Sequence, residues 1–254
     1  MTKASSISTL ADPTSRLTSR GDPFHDPKLF RQIVGSLQYV TITPPDIAYA
    51  VNRVCQFMHS PISLHWQATK RILRYLKGTS HHCLHFTPTR AQSLLAYSDA
   101  GWLSDTEDSR SQYGYAIFHG SNLISWTSRK QRVVARSSTE AEYRSLTYIA
   151  AVLLWIKQLL QDLCVPLRRP PLLLCDNVGA IFLTKNPVIH TRSKHIALDF
   201  HFIRELVESK LLQTCHVSSV DQIADIFTKP LTKDRIFLLR SKIKVYSDLK
   251  LAGG

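Results

Sequence analysis

The sequence has few acids for its length, few cysteines and no long hydrophobic run. Its 254 residues include 19 Asp and Glu against 32 Lys and Arg, which gives a formal net charge of +13. Such a balance favours contact with polyanions, with nucleic acid ahead of acidic membrane surfaces. No apolar stretch approaches the roughly 18 residues that a membrane helix needs. We therefore expect no membrane partner.

The cysteine pattern indicates neither a disulfide framework nor a common zinc motif. The five cysteines are odd in number, scattered and without a C-x-x-C pair. The run His81, His82, Cys83 and His85 has the spacing of no common zinc finger. These features are typical of a reducing compartment. No secretion signal is recognisable, so we expect an intracellular protein, cytoplasmic or nuclear.

Composition and the spacing of apolar residues predict four segments. Residues 1–27 are polar and broken by proline and glycine, which is typical of a flexible lead, although their Ser, Thr and Arg content also resembles a transit peptide. Residues 28–82 carry apolar residues at helical spacing and predict a small helical subdomain. Residues 83–230 predict an α/β domain, and residues 231–254 predict a C-terminal helix or tail.

Within residues 83–230 the order of elements predicts the fold class. Short strand patterns come first, at CLHFT, LLAYSDA, YGYAIFHG, LISWTS and RVVAR. A long helix pattern over about 138–163 follows, then the apolar strand LLLCD, two helices, the strand LLQTCHV and a helix over about 221–227. Hairpins followed by alternating strands and helices give an α/β fold whose mixed sheet has helices on its faces.

Four acids of this domain are candidates for one shared site. Asp99 and Asp176 end predicted strands, whereas Glu142 lies in the first turn of the long helix and Asp225 opens a late helix. If the two strands are neighbours, their carboxylates lie roughly 5 Å apart. Clustered carboxylates repel each other unless cations join them, so the pattern predicts a site for divalent metals. Two-metal carboxylate sites hydrolyse phosphodiesters.

The motifs around these acids resemble one family. They are YSDA, SSTEAEY, CDN and QIADIFTKP, extended by ISWTSRKQ and KNPVIHTRSKHIALDFHFIRE. Together with GSLQYVTITPPDIAYAVNRVCQFM nearer the N-terminus, they resemble the C-terminal part of copia-type retrotransposon Pol polyproteins over about residues 28–240. That part comprises the end of the reverse transcriptase region and the ribonuclease H domain.

The resemblance implies a ribonuclease H-like mixed sheet with helices on both faces, preceded by a helical remnant of the reverse transcriptase thumb or connection region. It implies a metal-dependent endonuclease that cuts the RNA strand of RNA–DNA hybrids with two Mg²⁺ or Mn²⁺ ions. The catalytic metal ligands would be Asp99, Glu142, Asp176 and Asp225. No Tyr-x-Asp-Asp signature occurs, so no polymerase activity is expected.

Basic residues are expected to contact the phosphates of the nucleic acid. Arg129, Lys130 and Arg132 lie together after the predicted hairpin, and Lys194 precedes a predicted helix. Lys70 and Arg74 belong to a basic helix face within residues 28–82.

Several alternatives stay open at the level of sequence. Glu140 competes with Glu142, because an acid near a helix start also complements the helix dipole. Gly101 stands where the family often has a second Asp after Ser-Asp-Ala. The chain could be a catalytically silent remnant that at most binds nucleic acid, or an exonuclease or strand-transfer enzyme with the same carboxylates. The oligomeric state is undetermined.

Overall fold

The computed structural model describes residues 4–12, 16–103, 108–186 and 194–247, with the side chains of residues 194–196 left out. The chain forms two compact units. One comprises the chain up to His85 together with the chain from Lys229 onward, and the other comprises Phe86–Thr228. The predicted boundary between residues 83–230 and 231–254 lies close to the observed boundary between Thr228 and Lys229. Helix α7 (Lys233–Lys242) and strand β7 (Val245–Ser247) of the predicted segment 231–254 belong to the first unit.

The first unit is built on three helices with an apolar core. Helices α1, α2 and α3 span Pro27–Val40, Ala48–Cys55 and Ser63–Gly78, and a 3-10 helix at Pro45–Ile47 precedes α2. The Asp26 carboxylate caps α1 by accepting a hydrogen bond from Leu29 N–H at 2.9 Å. The helical spacing of apolar residues is explained by a buried cluster that includes Phe30, Val34, Leu37, Val51, Val54, Ile72 and Tyr75.

A small two-stranded sheet completes this unit. Strand β1 (His82–Leu84) pairs antiparallel with β7, so that Cys83 lies opposite Tyr246. The sequence predicted strand CLHFT but not its partner, because the three residues of β7 are too few for a periodic pattern to identify.

The described part of the N-terminal lead, which the composition predicts as flexible, makes contacts within the first unit. Leu10 and Phe24 are buried in the core of the first unit. Arg74 of α3 donates hydrogen bonds to the carbonyl and the hydroxyl oxygen of Ser5, at 2.7 and 3.0 Å. Lys77 likewise donates to the Ala4 carbonyl at 3.0 Å. Part of the predicted basic face of α3 is therefore used to hold the described part of the lead.

The second unit contains a mixed five-stranded sheet. Its strands are β2 (Leu94–Gly101), β3 (Gln112–His119), β4 (Asn122–Lys130), β5 (Leu172–Cys175) and β6 (Gln213–His216). Their order is β4-β3-β2-β5-β6, in which β2, β3 and β4 are antiparallel and β2, β5 and β6 are parallel. Gly120, at φ +58°, forms the turn between β3 and β4 where the sequence predicted a hairpin. The predicted fold class is confirmed.

Helices cover both faces of this sheet. Helix α4 (Ser138–Asp162) packs its apolar stripe, including Leu146 and Ile149, on Ala96 of β2 and Leu173 of β5. Helices α5 (Val178–Lys185) and α6 (Lys194–Glu208) extend that apolar core. On the other face, the 3-10 helix Ile223–Phe227 approaches so closely that a Cβ on Gly114 would meet Phe227 Cβ at 2.5 Å.

Two predicted elements differ from the structure. Residues 132–136, predicted as the strand RVVAR, form a loop after β4. Ala135 is buried there and its carbonyl accepts a hydrogen bond from Trp102 Nε1, whereas Val133 and Val134 are exposed. The late helix is a single 3-10 turn and not an α-helix. Among the described helices, none has the length and apolar character to cross a membrane.

Candidate active site

The parallel pairing of β2 with β5 brings two of the four acids to one end of the sheet. Ser98 of β2 lies opposite Cys175 of β5. Asp99 follows Ser98 and Asp176 follows Cys175, so the two acids continue the same register. The condition that the sequence argument set, that these two strands are neighbours, is met. Strand β2 runs on to Gly101, so Asp99 lies within its strand and not at its end.

Helix α4 adds Glu142 to these acids. Glu142 is 5% exposed, and its Oε1 accepts a hydrogen bond from Ala100 N–H at 3.1 Å. Its carboxylate, Cys175 Sγ and an oxygen of Asp176 lie within 4.8 Å of one another. Glu142 is the fifth residue of the helix, one turn later than the sequence suggested. Its position in the second turn of the helix brings its carboxylate to the backbone of Ala100 in β2.

Glu140 is engaged elsewhere. Its carboxylate accepts a hydrogen bond from Arg136 N–H at 3.0 Å and pairs with Arg144 at 3.0 Å. The Ser137 hydroxyl oxygen caps the helix by accepting from Glu140 N–H at 3.1 Å. Of the two acids near the start of α4, Glu142 is therefore the one that lies beside Asp99 and Asp176, and we call these three acids the acidic cluster.

The electrostatics of the cluster favour a cation or a proton. Burial raises the pKa of Glu142 well above its ordinary value, and the negative charge of Asp99 raises it further. Asp176 acts in the same direction, whereas the hydrogen bond from Ala100 N–H opposes the shift. A carboxylate held among carboxylates is stabilised when a positive charge joins them.

Cys175 is part of the cluster but acts as a thiol. Burial raises its pKa far above the ordinary range, and the charge of Glu142 adds to this effect. The thiol donates to Glu142 Oε2 at 3.5 Å, and its sulfur accepts from Asn177 N–H at 3.4 Å. The charged donors of the cluster are therefore carboxylate oxygens, which fit hard divalent cations such as Mg²⁺.

A segment after β6 contacts the acids at both of its ends. Gln222 Nε2 lies 3.5 Å from Asp176 Oδ1, and Ser219 Oγ donates to Asp176 Oδ2 at 2.8 Å. At the other end, Thr228 Oγ1 donates to Asp99 Oδ2. Asp225 lies between these two attachments and is buried. Asp99 and Asp176 are thus hydrogen-bonded to this segment, and Glu142 lies close to both acids. Asp225 lies on the same segment, and its membership of the metal-binding set stays a prediction.

Comparisons with known proteins place the chain among transposon polyproteins. No family model matches it. The "Retrovirus-related Pol polyprotein from transposon RE1" of Arabidopsis thaliana is 50% identical over 246 residues, covering 96% of this chain and 17% of the relative. The corresponding polyprotein from transposon RE2 of the same plant is 48% identical over 255 residues, covering 100% of this chain and 18% of the relative. This chain belongs to the Pol polyprotein family of copia-like transposons.

The chain spans less than a fifth of the length of these Pol polyproteins. Among solved structures, the chain is similar to the N-terminal RNase H domain of rv2228c from Mycobacterium tuberculosis, with 11% identity and a TM-score of 0.41. The superposition covers 59% of this chain and 96% of the chain in that structure. A TM-score this low identifies no function.

The basic residues that the sequence predicted as phosphate contacts fall into different environments. Arg129 and Arg132 are exposed. Burial raises the pKa of Tyr113, and the positive charges of these two arginines lower it, which places them near that ring. Tyr113 stacks on Tyr148 with a centroid distance of 5.2 Å. The two arginines thus lie beside an aromatic pair.

The other predicted contacts are engaged, exposed or not described. Lys130 forms an ion pair with Asp108 at 2.7 Å. Lys70 is exposed on α3, whereas Arg74 is hydrogen-bonded to Ser5. The side chain of Lys194 lies outside the described residues.

Sequence reasoning missed three polar contributors to the site: Cys175, Gln222 and Thr228. Gln222 and Thr228 lie three residues before and three after Asp225, within the motif QIADIFTKP that identified this acid. A signal was therefore present in the spacing, but polar side chains in a turn are common and carry no chemistry by themselves.

Proposed function

We propose that residues 86–228 form a divalent-metal-dependent ribonuclease that hydrolyses the RNA strand of RNA–DNA hybrids. The observation that carries this proposal is the burial of Glu142 against Asp99 and Asp176, at the shared end of two parallel strands. Burying several acids together costs free energy unless a cation neutralises them. A divalent cation would neutralise these acids, and this supports a metal-dependent activity.

Asp99, Glu142, Asp176 and Asp225 would hold two Mg²⁺ or Mn²⁺ ions. When bound, such ions neutralise charge on the scissile phosphate and activate water. The chain itself orients the acids: Ala100 N–H fixes Glu142, and Ser219 fixes Asp176. Hard cations match these oxygen donors, and the protonated Cys175 adds no competing thiolate.

Family membership and surface charge support a nucleic-acid substrate. The relatives are Pol polyproteins of transposons, and the chain has a net charge of +13. Arg129 and Arg132 are exposed next to the pair Tyr113–Tyr148 and would follow the phosphates of a hybrid. A-form and hybrid duplexes are recognised mostly by shape and by backbone contacts, so we expect strong salt dependence and no sequence preference.

The test is cleavage of an RNA–DNA hybrid with labelled RNA by the purified full chain, across a magnesium titration. We expect cleavage that needs the metal. Asp99→Asn and Asp176→Asn should each lower the rate by at least about 100-fold, since loss of even an outer partner of a metal ligand costs about 10–100-fold. Hybrid binding in EDTA should persist in both variants.

The matched control is Asp162→Asn. Asp162 is an exposed acid at the far end of α4, roughly 30 Å along the helix from Glu142. Its replacement makes the same charge change without touching the cluster, so cleavage should stay at the wild-type rate. Hybrid binding without metal-dependent cutting by the wild-type chain would contradict the proposal and would favour a silent nucleic-acid-binding remnant.

A further inference from the structure

The buried amide of Gln222 lies where three parts of the candidate site meet. Its side chain is 0% exposed. Nε2 donates to the Ser98 carbonyl at 2.8 Å and lies 3.5 Å from Asp176 Oδ1. Its Oε1 accepts from Ala224 N–H at 3.2 Å and so caps the 3-10 helix that carries Asp225. One side chain thereby touches the strand of one acid, the carboxylate of a second and the helix of a third.

The chemistry of the three contacts requires an amide. Ser98 and Asp176 offer only acceptors to the side chain of Gln222, whereas the backbone of Ala224 offers a donor. An amide supplies both functions at once, and this arrangement fixes which way the group is turned. A carboxylate of the same length would place another negative charge beside Asp176, and an apolar side chain of the same length would leave all three groups without their partner.

The opposite end of the 3-10 helix is held by a different side chain. Thr228, 2% exposed, follows the helix directly, and its Oγ1 donates to Asp99 Oδ2. The segment that carries Asp225 is therefore attached to Asp176, which follows β5, at its start and to Asp99 of β2 at its end. These attachments fix Asp99 and Asp176 with respect to the segment that carries Asp225.

We propose that Gln222, together with Thr228, is a positioning residue that sets Asp99, Asp176 and Asp225 in a geometry ready for divalent cations. This inference rests on the proposed function, because it assigns these residues a role toward the metal. It extends that function by naming a side chain that acts through its contacts with the proposed metal ligands. Partners of metal ligands commonly govern metal affinity by 10–100-fold.

The experiment replaces Gln222 by Met, which keeps the length and removes both hydrogen-bonding functions. Binding of Mn²⁺ to the full chain is measured by titration calorimetry, and cleavage is measured across a magnesium series. We expect Mn²⁺ affinity to fall by about 10–100-fold, with cleavage recovering toward the wild-type rate at high magnesium. In the metal-free chain, amide exchange of residues 223–228 should become faster. Hybrid affinity in EDTA should not change.

Thr184→Val is the matched structural control. Thr184 is 1% exposed and shares a 2.7 Å hydrogen bond with Thr214 in the same unit, away from the acids. This change also removes a buried hydrogen bond, so it should lower thermal stability and leave Mn²⁺ affinity unchanged. A general loss of stability is thereby distinguished from a positioning effect.

Thr228→Val is the second variant, because Gln222→Met could prevent folding. If either folded variant keeps wild-type Mn²⁺ affinity and wild-type exchange, its residue has no positioning role. Loss of folding in both variants would assign the pair a structural role and overturn the proposal. Failure of the wild-type chain to bind Mn²⁺ or to cleave would instead contradict the proposed function, so the two failures are distinguishable.

Discussion

Each of the two units buries an acid, and the two acids have opposite charge environments. In the first unit, Asp46 is 2% exposed, accepts a hydrogen bond from Tyr75 Oη at 2.5 Å and lies 3.6 Å from Arg240 Nε. In the second unit, Glu142 is buried to a similar extent, but the charges acting on it are those of other carboxylates. The first acid has its cation within the fold, and the second has acids around it.

The comparison shows how a structural acid differs from a candidate ligand. Burial raises the pKa of both, so the direction of the shift does not separate them. The neighbours do: Tyr75 and Arg240 lower the pKa of Asp46, whereas Asp99 raises that of Glu142. An internally neutralised acid needs nothing from solution, and an acid among acids is incomplete until a cation or proton arrives.

The largest effect is expected where the internal pair is broken. Arg240→Leu leaves Asp46 buried without its cation, and we expect a loss of about 3 kcal/mol in the free energy of unfolding. Denaturant unfolding of the full chain measures it. The double variant Asp46→Asn with Arg240→Leu removes both charges and should recover most of the loss. Equal stability of the single and double variants would show that Asp46 does not need Arg240.

The corresponding change in the second unit should have the opposite sign. Glu142→Gln replaces a carboxyl group whose ionisation is penalised by burial and by Asp99 with a neutral amide, so the metal-free chain should gain about 1–2 kcal/mol of unfolding free energy at neutral pH. The amide oxygen still accepts from Ala100 N–H, and the variant should lose cleavage. Thermal unfolding in EDTA is the measurement. A destabilised variant would mean that Glu142 is held as Asp46 is, by compensating contacts.

The elements that position these acids were predictable to different degrees. Helix α4 and strands β2 and β5 have long or strongly apolar patterns, so their existence followed from periodicity. The pairing of β2 with β5, which brings Asp99 and Asp176 together, was only a condition of the sequence argument. The partner of β1 and the packing of Leu10 did not follow, because short strands and extended leads depend on contacts made far along the sequence. The choice between Glu140 and Glu142 depended on which of them faces the sheet, and this is visible only in the structure.

The charge balance of the site was the least predictable property. Four acids in family order indicated a cluster, yet the neutral partners Gln222, Thr228 and Cys175 become visible only when the strands are paired. The same holds for Arg240, which meets Asp46 from nearly 200 positions later in the sequence. Such contacts are set by tertiary packing and leave no periodic signal.

Magnesium provides a smaller test of the same contrast. A ligand at ten times its dissociation constant stabilises the folded state by about 1.4 kcal/mol. We expect magnesium to raise the midpoint of thermal unfolding of the wild-type chain and to have no such effect on Asp176→Asn. The variant Arg240→Leu should keep the metal-induced increase, because its altered pair lies in the other unit. An equal increase in Asp176→Asn would place the bound metal elsewhere.

The pH dependence of stability has a sign fixed by these shifts. The folded pKa of Glu142 lies above its ordinary value of 4.5, so the folded chain holds a proton that the unfolded chain has released. In EDTA, stability should therefore fall as the pH rises from about 4.5 through the raised pKa, and Glu142→Gln should reduce that fall. Saturating magnesium should reduce it as well, since the cation then replaces the proton. Unchanged pH profiles in the variant would assign the proton to another group.

The smallest expected effect concerns two arginines that the sequence treated alike. Arg129 is exposed beside Tyr113, whereas Arg74 is hydrogen-bonded to Ser5 within the first unit. Each phosphate contact contributes about 0.9 to the slope of log affinity against log salt concentration. Arg129→Gln should therefore reduce the slope of hybrid binding by about 0.9, and Arg74→Gln should leave it unchanged, because its guanidinium already has partners. A reduced slope in both variants would mean that the nucleic acid displaces the N-terminal lead from α3, which would make the first unit part of the binding surface.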